Sequence, residues 1–598
     1  MRYLPLFAAA LAATPLIASP VAGKAVSQEE AQRLASMIGE QRPAASMYIW
    51  SDKYTYKPGE KLTLRWTVKP NDDSYAYTVV AFRQNNQNGK RFYLPAGTEK
   101  ATDVTGKTVI DGFQATQLTA ATKAVLIQDA TIPDEPGMHT FVVQLRDFKG
   151  SRVLKAAYMK IGVVKDTVTL TGDITTNRLL TNDTLWNLRG VVAVKNNATL
   201  TVEPGTFIMG LPGSQPPSVL VITRGSKLVA LGTKARPIVM TSSQPFGKRT
   251  RGDWGGMLML GKAPVNVGAN VVAGSTNQAG EFFVEGLPAG PDFLYGGNDP
   301  DDSCGYMSYL RIEYAGSILS PGNETNSFTF AGCGKGTQAH HLQAIYGLDD
   351  SFEWFGGTMD AKYLVGGLGA DDYVDYQLGW TGRAQFGLFY QSPDANGNRG
   401  IEGDNSEYNN AALPYSNPTL FNMTFVGSGV PGFDEANAPG IFVRRGSRGS
   451  INNMVVTNFY SPGVDVADAN TQAQADQGNL TMNGILLWNN GLGANPKAPN
   501  TVRGQSASGY TADFADGAKG PSGNPSGKNF LSEDPMLNRP LDWNDPDFVG
   551  RFGSPVFRAG FVAPPDDGFF DTVNFIGGIG DDDWTEEWTS FLNDPDIQ

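Results

Sequence analysis

Apolar residues in the central part of this chain fall into short runs, each closed by a turn that carries Gly or Pro. Gly190-Val191-Val192-Ala193-Val194 is followed by Ala198-Thr199-Leu200-Thr201-Val202, then by Val219-Leu220-Val221-Ile222 and Pro237-Ile238-Val239-Met240-Thr241. Runs of this length, bounded in this way, predict β-strands. Further on the pattern becomes periodic. Asp349-Asp350-Ser351-Phe352-Glu353-Trp354 returns about 22 residues later as Asp371-Asp372-Tyr373-Val374-Asp375-Tyr376, and a looser third copy reads Asn398-Arg399-Gly400-Ile401-Glu402-Gly403. Leu342 and Leu364 precede the first two copies at the same offset. Self-similarity at such a period marks a solenoid in which each repeat is one coil, and strand-forming repeats make it a β-helix. Matching positions then lie one strand spacing apart, roughly 4.8 Å. Strand alternation sends Phe352, Val374 and Ile401 inward, and Glu353, Asp375 and Glu402 outward as a column of carboxylates with Thr329 one coil earlier.

The flanks read differently. Arg2 and the apolar run Leu6 to Ile17 look like an export signal over residues 1–23. Residues 24–45 open with Ser27-Gln28-Glu29-Glu30, a capping box, and predict a helical linker. Over 46–165, strand-like runs such as Lys61-Leu62-Thr63-Leu64-Arg65-Trp66 and Thr140-Phe141-Val142-Val143-Gln144-Leu145 alternate with turns such as Glu135-Pro136-Gly137. That spacing predicts an immunoglobulin-like β-sandwich. The solenoid is expected over 166–500, with longer loops near 268–305, 393–417 and 429–439. Residues 501–598 form a Gly- and Ser-rich loop and then an acidic, aromatic tail that would cover the open last coil.

Composition narrows the function classes. Sixty acidic residues against 47 basic ones leave a net charge of −13, with no basic stripe, which argues against nucleic acid as a partner. No later segment is apolar for long enough to predict a transmembrane helix. Cys304 and Cys333 are the only cysteines, and each shortly precedes a similar strand. In stacked coils they would be neighbours, and an oxidising compartment would join them. Two cysteines and three histidines do not compose a zinc site of the usual kind, and His340 and His341, adjacent in a strand, should face opposite ways.

Gly252-Asp253-Trp254-Gly255-Gly256, Tyr295-Gly296-Gly297-Asn298-Asp299, Leu310-Arg311-Ile312-Glu313-Tyr314-Ala315-Gly316 and Glu353-Trp354-Phe355-Gly356-Gly357 resemble motifs of bacterial exported right-handed parallel β-helix proteins of the pectate-lyase-like superfold. The resemblance covers about residues 185–598. It implies a right-handed β-helix in the periplasm or at the cell surface, and with the sandwich read before it the whole is an all-β protein. It implies no single activity, and polygalacturonase signatures are absent as a set.

Three ionised carboxylates at that spacing would repel by about 3–4 kcal/mol per neighbouring pair at an effective dielectric of 20. A calcium ion held by Glu353, Asp375 and Glu402, a shared proton, or Arg399, which aligns with Asp350 and Asp372, would each relieve the repulsion. Neighbouring rungs also match the carboxylate spacing of a retaining glycosidase, and Arg399 or Arg444 could serve as the base of a lyase. Catalytic candidates are therefore Glu353, Asp375, Glu402 and Arg399. The plainer reading makes the paired aspartates turn residues bonded to their own backbone, and the column a solvated face. Trp354, Tyr376, Trp380 and Tyr390 read as core, or as the lining of a sugar groove. The function expected is an exported binding protein for an extended polymer, a polysaccharide above all, or for a cell-envelope partner, with calcium as the candidate cofactor. A polysaccharide lyase or glycoside hydrolase and a structural envelope component are the alternatives.

Overall fold

The computed structural model describes residues 45–592 apart from 71–77, 87, 90, 94–101, 104–123, 147–152, 215, 273–275, 321–322, 393, 395–397, 430–437, 492–501, 505–529 and 558–560. The expected signal and helical linker lie outside the described residues. Short apolar runs separated by tight turns cannot close a core within one coil, so each coil buries its inward side chains against the next. The result is a sheet of 25 strands whose pairs run parallel, wound as three faces of a β-helix.

Inward positions form continuous rows. On one face Phe328, Phe352, Val374, Ile401 and Ile441 stand in register. The row beside it runs Phe330, Trp354, Tyr376, Gly403, Val443. A Cβ on Gly403 would lie 2.3 Å from the Tyr376 hydroxyl, so the large ring of one coil requires the missing side chain of the next. Trp354, Tyr376 and Trp380 are wholly buried in this core, with Trp354 and Trp380 stacked at 4.7 Å. Their alternative role as a groove lining is corrected: an inward position on a closed coil has no solvent side. Tyr390 is buried too, against Phe548 and Phe591.

A second face begins where strands bend at a stacked corner. Tyr309, His341, Tyr363, Phe386, Asn422 and Asn453 occupy equivalent positions and all have left-handed backbone, φ +46° to +63°. Such backbone costs a non-glycine residue roughly 1–2 kcal/mol, and here the rings offset it by stacking at 4.3 to 4.9 Å. This corner also overturns the expected opposite facing of the histidines. The left-handed turn at His341 breaks strand alternation, and its Nδ1 lies 2.9 Å from Nδ1 of His340.

At the N-terminal side, a three-stranded and a six-stranded sheet share one core. Met47, Ile49, Leu62, Leu64 and Trp66 meet Phe141, Val143, Met159 and Ile161, and the same core takes in Phe207, Met209 and Val239 from the first coils. The last strand of these sheets, Val153–Val163, leads directly into Asp166–Ile174 of the solenoid. The contact is pinned by a buried ionic knot. Glu313 accepts from Arg311 Nε at 3.1 Å, Tyr54 Oη at 3.1 Å and Thr241 Oγ1 at 3.0 Å, with Arg249 at 3.5 Å. Burial by itself would raise the Glu313 carboxyl, but Arg311 and Arg249 outweigh it and hold it below its usual range.

After residue 500, Val502–Gly504 and Phe530–Ser532 still pair on the last coils, and the tail from Val562 onward leaves them. It runs down the flank of the solenoid, against the stacked corner, and is held by amide side chains that mimic a backbone. Asn453 exchanges two hydrogen bonds with Val562, Gln385 two with Asp571, and Gln343 two with Ser590. Trp584 and Trp588 close on His341 edge-on. The flank needs this cover because the left-handed corner turns aromatic rings outward.

A buried carboxylate ladder as the candidate functional site

The column stacks in the expected register. Thr329, Glu353, Asp375 and Glu402 are direct partners on Phe328–Ala331, Phe352–Phe355, Val374–Gln377 and Ile401–Asp404. It is not a solvated face. Glu353 is 3% exposed, and Asp375 and Glu402 are 8% exposed. The segment that follows Leu260 folds back over this side of the solenoid: Val265, Val284, Leu287 and Tyr295 pack on the outward residues Val221, Leu258 and Phe355. It also delivers Glu285, which faces Asn326 at 3.2 Å and bonds Glu353. At the other end Arg399, Arg444 and Phe442 close over Glu402.

The paired aspartates form a second ladder beside the first. Asp350 N donates to Asn326 Oδ1 at 3.1 Å, Asp372 N to Asp350 Oδ1 at 3.0 Å, and Arg399 N to Asp372 Oδ1 at 2.6 Å. Each side chain thus caps a backbone amide of the next coil. The expectation that they bond their own turns is corrected, because stacking brings the next coil's N–H nearer than any within the turn. Asp371 instead accepts from a side chain of the next coil, Asn398 Nδ2 at 2.7 Å.

The ladders give clusters in which oxygen atoms lie within 4.8 Å of one another: Asp350, Glu353 and Asp375; Asp372, Asp375 and Glu402; and Asp349, Asp350 and Asp371. The first two differ in charge balance. In the Asp372 cluster, Arg399 Nη1 lies 3.3 Å from Asp372 and 3.0 Å from Glu402, and Arg444 reaches Glu402 at 2.9 Å. A guanidinium already stands where a cation would. In the Asp350 cluster no cationic side chain among the described residues forms an ion pair; beside Glu285, the amides Gln377 Nε2, on Glu353 Oε1 at 3.0 Å, and Asn326 Nδ2, on Oε2, approach. Oδ1 of Asp375 is buried with no hydrogen-bond partner.

Burial, more than any neighbour, raises the carboxyls of Asp350, Glu353 and Asp375 well above the ordinary range, and repulsion from Asp349, Glu285 and Glu402 respectively adds to it. Burial likewise pushes Glu402 up to about 8 and Glu285 and Asp371 to about 7. The donor set is all oxygen and strongly anionic, which fits a hard cation such as calcium, and Asp350, Glu353 and Asp375 are the residues that would hold it. Of the predicted site residues, Glu353, Asp375, Glu402 and Arg399 are all brought together. Asp350 and Asp372 belong with them. Glu285 joins from a loop outside the repeat, so no periodic signal in the sequence points to it.

Fold and site define a parallel β-helix protein that carries a buried carboxylate ladder on one face. The chain belongs to the family described as pectate-lyase-like β-helix domains, whose model matches residues 172–528. No curated protein matches the sequence. Among solved structures, the alkylpurine DNA glycosylase AlkC of Pseudomonas fluorescens, bound to DNA containing an abasic site analog, aligns at 15% identity over 23% of this chain and 37% of its own, with a TM-score of 0.13. Likeness at that level carries no argument. Cys304 and Cys333 form a disulfide, and no helix among the described residues is long and apolar enough to cross a membrane.

Proposed function

We propose that this is an exported, polysaccharide-binding β-helix protein, periplasmic or on the cell surface, in which a calcium ion held by Asp350, Glu353 and Asp375 fixes the face beneath the covering segment. Family membership supports the polysaccharide class, and the disulfide fits an oxidising compartment. The observation that carries binding over catalysis is the burial of the column. A polymer cannot touch Glu353 while the segment bearing Glu285 covers it, nor Glu402 beneath Arg399 and Arg444. The ion would neutralise a cluster that no ion pair among the described residues reaches and would take the free lone pairs of Asp375. A lyase or glycoside hydrolase would need that cover to open.

Titration calorimetry against acidic and neutral polysaccharides, with calcium or with chelator, tests the reading, paired with an assay for reducing ends and for unsaturated uronates. Binding without cleavage, strengthened by calcium, is expected. Turnover that Asp375→Asn or Glu402→Gln abolishes would replace binding by catalysis, and no binding to any polysaccharide would overturn the proposal.

A further inference from the structure

The last coils carry a second feature on a different face. Trp488 ends the strand Ile485–Trp488, with Ile485 and Leu487 in the core. It is 37% exposed, while the other tryptophans described are more covered. In register beneath it stands Thr457, 1% exposed, whose Oγ1 has no hydrogen-bond partner. Both line a cavity of about 210 Å³ with Asn458, Asp534, Pro535 and Pro540. Asn458 Oδ1 accepts from Asn489 at 2.7 Å, which fixes the amide and presents its Nδ2. Asp534 Oδ1 accepts from Met536 N at 2.7 Å, which fixes the carboxylate and presents its other oxygen.

We propose that this cavity binds one neutral sugar unit of a polysaccharide, stacked on the Trp488 indole, at a site separate from the carboxylate ladder. An indole face takes the C–H face of a pyranose ring, because the ring hydrogens are the positive partner of the π cloud. Around it stand one orphaned hydroxyl, one amide donor and one carboxylate acceptor, the groups that bind sugar hydroxyls. A ligand hydroxyl on Thr457 Oγ1 would satisfy a polar atom that burial otherwise leaves unpaired. The prolines are rigid walls, and the side chains are already held, so little ordering is lost on binding. The volume is below the about 300–1,000 Å³ of sites for drug-sized ligands, which suits one sugar and not a folded peptide. No cationic side chain is among the described residues that line it, and Asp534 would repel a uronate, so the sugar is neutral.

The test uses the full chain in chelator, titrated with gluco-, manno- and galacto-oligosaccharides and N-acetylglucosamine oligomers while indole emission and heat are followed. At least one series binds, and Trp488→Ala weakens it by about tenfold or more while the cooperative unfolding transition remains. Thr457→Val weakens it in the same direction and serves if the tryptophan variant does not fold. No binding in any series, binding that survives Trp488→Ala, or capture of a proline-rich peptide in place of sugar overturns the site. A sugar lost on Asp375→Asn but retained by Trp488→Ala belongs to the ladder and overturns it as well.

Discussion

Asp375 concentrates the chemistry of this molecule because it belongs to both neighbouring carboxylate clusters and its Oδ1 is without a partner. If calcium fills the Asp350 cluster, stability must rise by mass action, by about 2.7 kcal/mol at 100 times the dissociation constant. Asp375→Asn should remove most of that gain and, in chelator, melt no lower than the parent, since it deletes a repelled charge. A melting temperature indifferent to calcium in the parent would end the metal reading. The pH dependence has a definite sign. A carboxyl whose folded pKa is raised holds its proton more tightly folded than unfolded, so its contribution is full below the unfolded value of about 4 and is lost as pH rises through the folded value. With Asp371 and Glu285 at about 7 and Glu402 at about 8, chelated protein should lose stability steadily from about pH 4 to 8. Over the same interval the gain from calcium should grow, because ion and protons compete for the same oxygens. A flat thermal profile from pH 5 to 8 in chelator, on the order of that window, would show that the carboxyls are not protonated in the fold.

Stacked elements turn single-residue preferences into columns. The disulfide ties residues 29 apart, Cys304 before the strand Gly305–Glu313 and Cys333 after Phe328–Ala331. Its two ends bracket neighbouring coils, next to the segment that covers the ladder. Closing a loop of that length contributes about 3–4 kcal/mol in the chain-entropy model. Denatured, unreduced protein should show no free thiol, and replacing both cysteines by serine should lower stability by about that amount in urea unfolding. Two reactive thiols would refute the bond. At the junction of the N-terminal sheets and the solenoid, Glu313 answers Arg311 and Arg249 at once. Glu313→Gln should therefore cost about 3–5 kcal/mol, since it leaves two buried guanidinium groups without their counter-charge. A variant as stable as the parent would show that the knot is not what pins the junction.

For the whole molecule, the tail is a strap and not a lid on the open end. Its course from Val562 beside Asn453 to Ser590 beside Gln343 crosses successive coils, so it ties together elements that otherwise touch only their neighbours. Gln385→Ala would remove both hydrogen bonds to the Asp571 backbone, at about 0.5–1.5 kcal/mol each. Faster hydrogen exchange across 561–592, with the coils themselves still protected, is the expected signature. Unchanged exchange there would mean that the aromatic contacts alone hold the strap. Release of the strap would bare the rings of His341, Tyr363 and Phe386, an aggregation hazard of the kind large exposed apolar patches create.

The solenoid, its period, the inward rows and the vertical alignment of Glu353, Asp375 and Glu402 follow from the sequence alone. A repeat constrains every coil by the same local rule, and a strand spacing is a fixed length. What lies on top of the column was decided by tertiary structure. The segment that carries Glu285 has no repeat, so nothing in its order of residues says which face it covers, and that cover turns an exposed acidic stripe into buried carboxyls. The same holds for Asp350 and Asp372. Read in one dimension they are turn residues, and only stacking shows that each serves the backbone of the coil above. The tail's aromatic and acidic residues signal that something is covered. Whether that is the end of the solenoid or its flank depends on amides at Gln343, Gln385 and Asn453, which are ordinary polar residues until the coils place them in line.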